Sequence, residues 1–328
     1  MTFARRTRAV VFAGVLAQCA SLASAQGSAA PAYPNRPIQV LIGIGAGSTT
    51  DVLGRLAARR LSERLKQPVV VDNRPGAGGT IAAATVAASQ PDGYTLLWAS
   101  SSIPMFPHMY DNLKFDPVKG LAGAGGVAEG GLVMLTRTDA PWKTLGEMIS
   151  YAKTKPKRTI TYASGGIGSN AHVFAELFSQ AVGLEFVNVP YKGSSAALTD
   201  VMAGQIDFVF DGPSTAIPQV EAGRVRALAF SNKTRSSLMP NVPTLHEAGV
   251  TGYSQRTWLA FFVRAGTPKA IVDRLSEEIQ AFVSDPSFKQ ELAGAFHEPW
   301  KISGSDLSEL VRKEADEWGA RLKTIKVK

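Results

Sequence analysis

A β-branched run that breaks into a glycine- and serine-rich loop and then into helical periodicity occurs twice in this chain. That repeat restricts the possible folds more than any other feature. In the first copy, Ile38-Gln39-Val40-Leu41-Ile42 follows Pro37 and reads as a buried strand. Gly43 to Thr50 is the loop. From Asp51 a helix is predicted, with Leu53, Leu56, Leu61 and Leu65 near one face and Arg55, Arg59, Glu63 and Lys66 around the other. Val69-Val70-Val71 is the next strand, Arg74 to Gly79 a turn, Thr80 to Ser89 an alanine-rich helix, and Tyr94 to Trp98 a third strand. Strands and helices alternating at this spacing predict a parallel sheet with right-handed crossovers.

The second copy opens with the strand Thr159 to Ala163 and the loop Ser164 to Gly168. Ser169 or Asn170 can cap a helix running to about Val182, with Ala171, Phe174, Leu177, Phe178 and Ala181 on one side. Glu185 to Val189 is a strand, and Tyr191-Lys192-Gly193 precedes a helix ending near Gly204. Asp207 to Phe210, Pro213 to Ala222 and Val225 to Phe230 read as strand, helix and strand. The copies share an architecture and few letters, so they are two similar α/β units. Between them Gly120 to Gly131 reads as a glycine- and alanine-rich link to the strand Leu132 to Leu135. Trp258 to Val263 runs back, and two crossing segments predict a two-stranded hinge. The tail carries helices over Pro268 to Val283, from Pro286, and over Asp306 to Lys323. With no sheet of its own, the tail is expected to pack on the first unit. The expected domains are 26–128 with 253–328, and 129–252.

The N-terminus belongs to neither unit. Arg5, Arg6 and Arg8 precede a short apolar stretch, Ala9 to Ala17, and Ala23-Ser24-Ala25 fits a cleavage site. That is the layout of an export signal over 1–25. The apolar stretch is well short of the ~20 residues that span a bilayer. Arg5-Arg6 leaves the twin-arginine route open beside the general one. The single cysteine, Cys19, falls inside this segment, so the exported chain has no thiol for a disulfide or a thiolate metal centre. Four histidines without an HExxH pattern add no metal site, and no cofactor loop appears. Lys and Arg number 35 against 27 Asp and Glu, but they are spread along the chain, which argues against a nucleic-acid partner. A monomer is expected.

The chemistry lies in the two loops. In an open α/β sheet, the loop after a strand's carboxyl end is where ligands bind. Glycine lets backbone approach a ligand closely, and the free N–H groups of the next helix's first turn favour an anion. One such loop is half a clamp; two on hinged units, facing across a cleft, complete it for a small carboxylate. Gly45 and Gly47 lack the third glycine of a dinucleotide fingerprint and the lysine of a phosphate loop. Gly76 to Gly79 reads as a closely packed turn. Ser101 and Ser102 follow a strand and can offer hydroxyls. Tyr191 and Gly193 also follow a strand. Asp211 can accept from a ligand or cap the next helix. Trp258 reads as core, and His172, with no second ligand at metal spacing, does not read as a metal site. Ser150-Tyr151-Ala152-Lys153 matches an S-x-x-K pattern without its companion motifs, so no catalytic residue is assigned.

With these residues in place, the chain resembles the Bug (TctC-like) periplasmic solute receptors of tripartite tricarboxylate transporters. The resemblance begins at Tyr33-Pro34-Asn35-Arg36-Pro37-Ile38 and runs through Thr50-Asp51-Val52-Leu53, the stretch Gln67 to Gly79, and Pro91-Asp92-Gly93-Tyr94. It continues at Val189-Pro190-Tyr191-Lys192-Gly193, Asp211, Val242-Pro243-Thr244, Glu247-Ala248-Gly249 and Ala265-Gly266-Thr267-Pro268. It implies an α/β two-domain periplasmic binding protein, a Venus flytrap with a two-strand hinge, closing on a small organic acid held mainly by backbone amides and bridging waters. It also implies membrane permease subunits as partners. Carried onto this chain, the first binding loop is Gly45, Ala46, Gly47, Ser48, Thr49, Thr50 and Asp51. The second is Ser164, Gly165, Gly166, Gly168, Ser169 and Asn170, with Ser101, Ser102, Tyr191, Gly193 and Asp211 as further wall. The first loop departs from the family pattern P-F-A-A-G-G-S-T-D: Ile44 stands at the aromatic and Ser48 at the second glycine. That predicts either an unusual backbone angle at Ser48 or a rearranged turn. A ligand-presenting sensor for a membrane signalling partner and a secreted enzyme using the same cleft stay open as other roles.

Overall fold

The structure is a computed structural model and describes residues 33–323. The predicted signal over 1–25, Cys19 included, lies outside the described residues. A short N-terminal unit, Met1–Asn35, precedes a body, Arg36–Lys328, to which everything below belongs.

In chain order the body opens with β1 (Ile38–Ile42), α1 (Thr49–Leu65), β2 (Val69–Asn73), a 3-10 turn at Ala77–Gly79, α2 (Thr80–Ala87) and β3 (Thr95–Ser100). A second 3-10 turn and α3 (Phe106–Met109) lead to β4 (Leu121–Gly130). Then come β5 (Val133–Arg137), α4 (Leu145–Lys153), β6 (Thr161–Ser164), α5 (Asn170–Val182), β7 (Val187–Pro190), α6 (Ser194–Met202), β8 (Phe208–Asp211), α7 (Pro213–Glu221) and β9 (Val225–Phe230). Last are β10 (Thr257–Arg264), α8 (Lys269–Ser284), α9 (Pro286–Gly294), β11 (Glu298–Pro299) and α10 (Gly304–Leu322).

These strands form two sheets, ordered β11-β4-β10-β3-β1-β2 and β7-β6-β8-β5-β9. The predicted parallel pairing occupies part of each. Val40 of β1 lies opposite Val71 and Leu96, and Ala163 of β6 opposite Val189 and Val209. Neither sheet is wholly parallel, however. β10 runs antiparallel to β3 and β4, and β5 antiparallel to β8 and β9. The cause is the crossing of the chain between sheets. β4 leads into β5 through Gly131 and Leu132, and β9 returns to β10, so the crossing strands enter against the local direction.

Gly120 to Gly131, read from sequence as a link, is mostly the ten-residue strand β4. Its glycines are there for close packing rather than for flexibility. A Cβ on Gly123 would sit 2.6 Å from the Gly304 carbonyl oxygen, and one on Gly126 would meet Ile302 and Trp300 within 2.5 Å. The tail therefore lies directly on β4, and β11 adds a short strand to that edge. The tail has no separate sheet; its one short strand joins the edge of the first. α10 also reaches further than the first unit. Leu307 and Val311 pack in the core of the first sheet, whereas Trp318 and Leu322 join the core around Met134, Phe174 and Phe210 of the second. Each such side chain contributes about 1.5–3 kcal/mol by burial. Trp258 is fully buried, as read; its Nε1 donates to Glu314 Oε2 at 3.0 Å.

Candidate functional site

The first helix mouth is held from three sides. Ser48 caps α1 with φ −75° and ψ 159°, its Oγ accepting from the Asp51 N–H at 3.2 Å. The positive φ falls on Gly47 (76°), so Ser48 needs no unusual angle and the expected strain is absent. Asp51 accepts from the Gly47 N–H at 2.9 Å, Arg55 Nε at 3.0 Å and Asn73 Nδ2 at 2.8 Å. Burial pushes the Asp51 carboxyl up, but the bonds from Arg55, Gly47 and Asn73 outweigh it and hold the pKa below its ordinary value. Trp98 Nε1 donates to the Thr50 carbonyl at 2.8 Å and fixes the first turn against β3.

The second mouth repeats the plan. Gly166 (φ 102°) and Gly168 (φ 78°) turn the chain after β6. Ser169 then caps α5, its Oγ accepting from the His172 N–H at 3.4 Å. His172 Nδ1 accepts from the Gly168 N–H at 3.2 Å, which puts the imidazole proton on Nε2. Burial pushes its pKa down to about 4, so it is a neutral brace. No group of three His, Cys, Asp or Glu that could hold a metal occurs among the described residues.

Both mouths border one cavity of about 100 Å³. Of the sequence candidates, Ser48, Thr49, Thr50, Ser102, Ser164, Gly165, Ser169, Asn170 and Asp211 line it. The others stand outside this lining. Gly45 donates its N–H to the Lys192 carbonyl at 2.7 Å, and Gly193 packs on Gly45, so these two join loop to loop. Ala46 and Gly47 are exposed, and the Gly47 carbonyl accepts from Ser195 Oγ at 3.1 Å. Asp51, Gly166 and Gly168 shape the turns. Ser101 Oγ donates to Asn170 Oδ1 at 3.3 Å from behind. The Tyr191 hydroxyl is committed to Asp200 Oδ2 at 2.5 Å.

The reading of the sequence missed other lining residues. Ile44, Leu132, Ala197, Val209 and Phe210 give an apolar wall, and Ser100, Ala171, Gly78 and Gly212 complete it. Gly78 and Gly212 are packed closely, as read for the former, but across the cleft. A Cβ on Gly78 would lie 2.1 Å from the Ile167 carbonyl oxygen, and one on Gly212 2.4 Å from Thr49 Oγ1. Thr215 was missed as well. Its Oγ1 lies 2.6 Å from Asp211 Oδ2, 3.1 Å from the Gly212 carbonyl and 2.9 Å from Thr49 Oγ1. The single Thr215 proton goes to one of the first two, so Thr49 is the donor to Thr215. A hydroxyl relay thus links α1 of one sheet to the end of β8 in the other.

A family model for the tripartite tricarboxylate transporter family receptor matches residues 53–327. The chain belongs to this receptor family. The receptor is 32% identical over 311 residues to a UPF0065 protein of Bordetella pertussis, a match covering 94% of this chain and 96% of that one. Its fold is similar to that of the periplasmic binding protein BugD, with a TM-score of 0.86, 30% identity and coverage of 90% and 99%. It is equally similar to the R. palustris protein Rpa4515 solved with adipate, with a TM-score of 0.85, 33% identity and coverage of 89% and 99%. Of the solved relatives, BugD is a periplasmic binding protein, and two proteins of R. palustris hold the small carboxylates adipate and malate.

Proposed function

We propose that this receptor is exported through a cleavable signal over 1–25 and captures a small organic carboxylate in the periplasm. It delivers that ligand to the membrane permease subunits of a tripartite tricarboxylate-type transporter. One observation carries the reading: the mouths of α1 and α5, each capped by a serine and each from a different sheet, border a single cavity. The lobes are 26–128 with 253–328, and 129–252. The adipate held by the R. palustris relative supports a carboxylate as the class of ligand.

The mechanism follows from the donors. The N–H groups of each first helical turn have no partner within the helix, and each helix places roughly half a positive charge at that end. Hydroxyls of Thr50, Ser102 and Ser164 add neutral donors. A charge-assisted hydrogen bond of this kind contributes about 1.5–3 kcal/mol. Ligand that touches both lobes favours the closed arrangement, already joined by the Gly45–Lys192, Ser195–Gly47 and Thr49–Thr215 contacts. Calorimetric titration of ligand-stripped protein with a panel of mono-, di- and tricarboxylates and amino acids tests the reading. Saturable binding of at least one acid is expected; a folded protein silent to the whole panel would contradict it.

A further inference from the structure

We infer that Tyr110 is the latch of the closed receptor, a positioning residue that holds the mouth of α5 over the bound acid; the inference rests on the proposed receptor function. Tyr110 directly follows α3, between β3 and β4 of the first sheet. Its hydroxyl meets two carbonyls, that of Ala77 at 2.6 Å and that of Ile167. Ala77 lies in the turn before α2, on the same side of the cleft. Ile167 lies across it, in the loop between β6 and α5, two residues before the cap Ser169. Tyr110 is not among the residues that line the cavity, so it acts on the acid through that loop.

The seam is shaped around this side chain. Tyr110 packs against the cores of both sheets, and the buried Phe106 meets its ring edge-on at 6.0 Å. A Cβ on Gly168 would lie 2.9 Å from Tyr110 Cε2, and one on Gly78 3.0 Å from its hydroxyl oxygen. Proton accounting then gives the latch its direction. A phenol has one proton to donate. Burial pushes the Tyr110 pKa up to about 12, so that proton stays on at neutral pH. The Ala77 carbonyl already accepts from Thr80 Oγ1 at 3.0 Å. The Tyr110 proton is therefore left for Ile167, whose carbonyl meets no other donor among the described residues. When the sheets part, water reaches Ile167 and the proton turns to Ala77, whose oxygen has a second lone pair. Neither arrangement strands a buried polar group, so the latch opens and re-forms without the penalty of an unmet hydrogen bond. Removing Thr80's hydroxyl breaks that balance: closed, one proton must serve two carbonyls; open, it serves Ala77 alone.

The test is calorimetry and stopped-flow kinetics at neutral pH on the exported chain, unfolded and refolded to remove carried ligand. Adipate, succinate, L-malate and citrate are the probes. Tyr110→Phe should bind the acid that the natural protein takes about three- to tenfold more weakly, the span of one net hydrogen bond. The loss should lie in faster release, with the association rate held within about twofold. Thr80→Val, which touches neither the cavity lining nor Ile167, should quicken release in the same way. A folded Tyr110→Phe variant with unchanged release, or one whose loss lies in association, overturns the latch and leaves the receptor function standing. Release quickened in Tyr110→Phe but not in Thr80→Val overturns the proton assignment. Should Tyr110→Phe not fold, Thr80→Val decides, and unchanged release there overturns the latch. Failure of every acid to bind the natural protein overturns both the latch and the receptor function.

Discussion

Ser48 and Ser169 each satisfy a first-turn N–H, at Asp51 and His172, that would otherwise have no protein partner. Replacing Ser169 by Ala should cost about 1 kcal/mol of stability, read as a lower denaturant midpoint with an unchanged slope. A midpoint that does not move would show that the cap bond is not made in solution. Two buried histidines set a pH dependence. Burial holds His172 and His297 near pKa 4, the Ala295 carbonyl only partly opposing it at His297, while the unfolded side chains titrate near 6.5. Between those values the unfolded chain binds more protons. Stability is therefore full above about pH 6.5 and is lost as the pH falls towards 4. Melting temperature followed across that window should fall, and His172→Gln should flatten the fall; an unaltered slope would contradict the assignment. At this scale the sequence was legible where the signal is local. A serine ahead of a helix, and a glycine where φ is positive, can both be read from neighbours in the chain. Thr215 could not be, because its role depends on Thr49, brought to it from the other sheet.

At the scale of elements, the strand–loop–helix order was readable because each unit carries its own hydrophobic periodicity. β1, α1, α5 and β9 fall within a residue or two of where that periodicity ends. β4 was not readable, because what shaped its sequence is the backbone lying against it. Gly123, Gly125 and Gly126 replace the β-branched residues that would have marked a strand. The close approach has a direct consequence at Gly304. A Cβ there would be 2.4 Å from the Gly123 carbonyl oxygen, a backbone atom that cannot swing aside. Gly304→Ala should lift the start of α10 from β4 and destabilise the fold by about 1–3 kcal/mol. Chemical denaturation measures it, and a variant as stable as the natural protein would mean that α10 and β4 are not so closely joined.

For the whole molecule, the question is whether the two sheets act as jaws. Gly45 is not among the glycines with positive φ, yet a Cβ on it would lie 2.7 Å from the Lys192 carbonyl oxygen. Gly45→Ala should leave folding intact and hinder closure, weakening ligand binding tenfold or more in calorimetry. Full affinity in that variant would mean that closure does not require the loops to touch. The Gly45–Lys192, Ser195–Gly47 and Thr49–Thr215 contacts all join parts distant in sequence. Such pairings were beyond reach of the sequence, although the loops that make them were not. The most direct measurement is a crystal structure of the receptor with its bound acid, identified by native mass spectrometry. One carboxylate should be bound, directly or through single waters, to amides or hydroxyls of both Ser48–Thr50 and Ser169–Asn170. A carboxylate held by one lobe alone, or outside that cavity, would contradict the two-jawed grip.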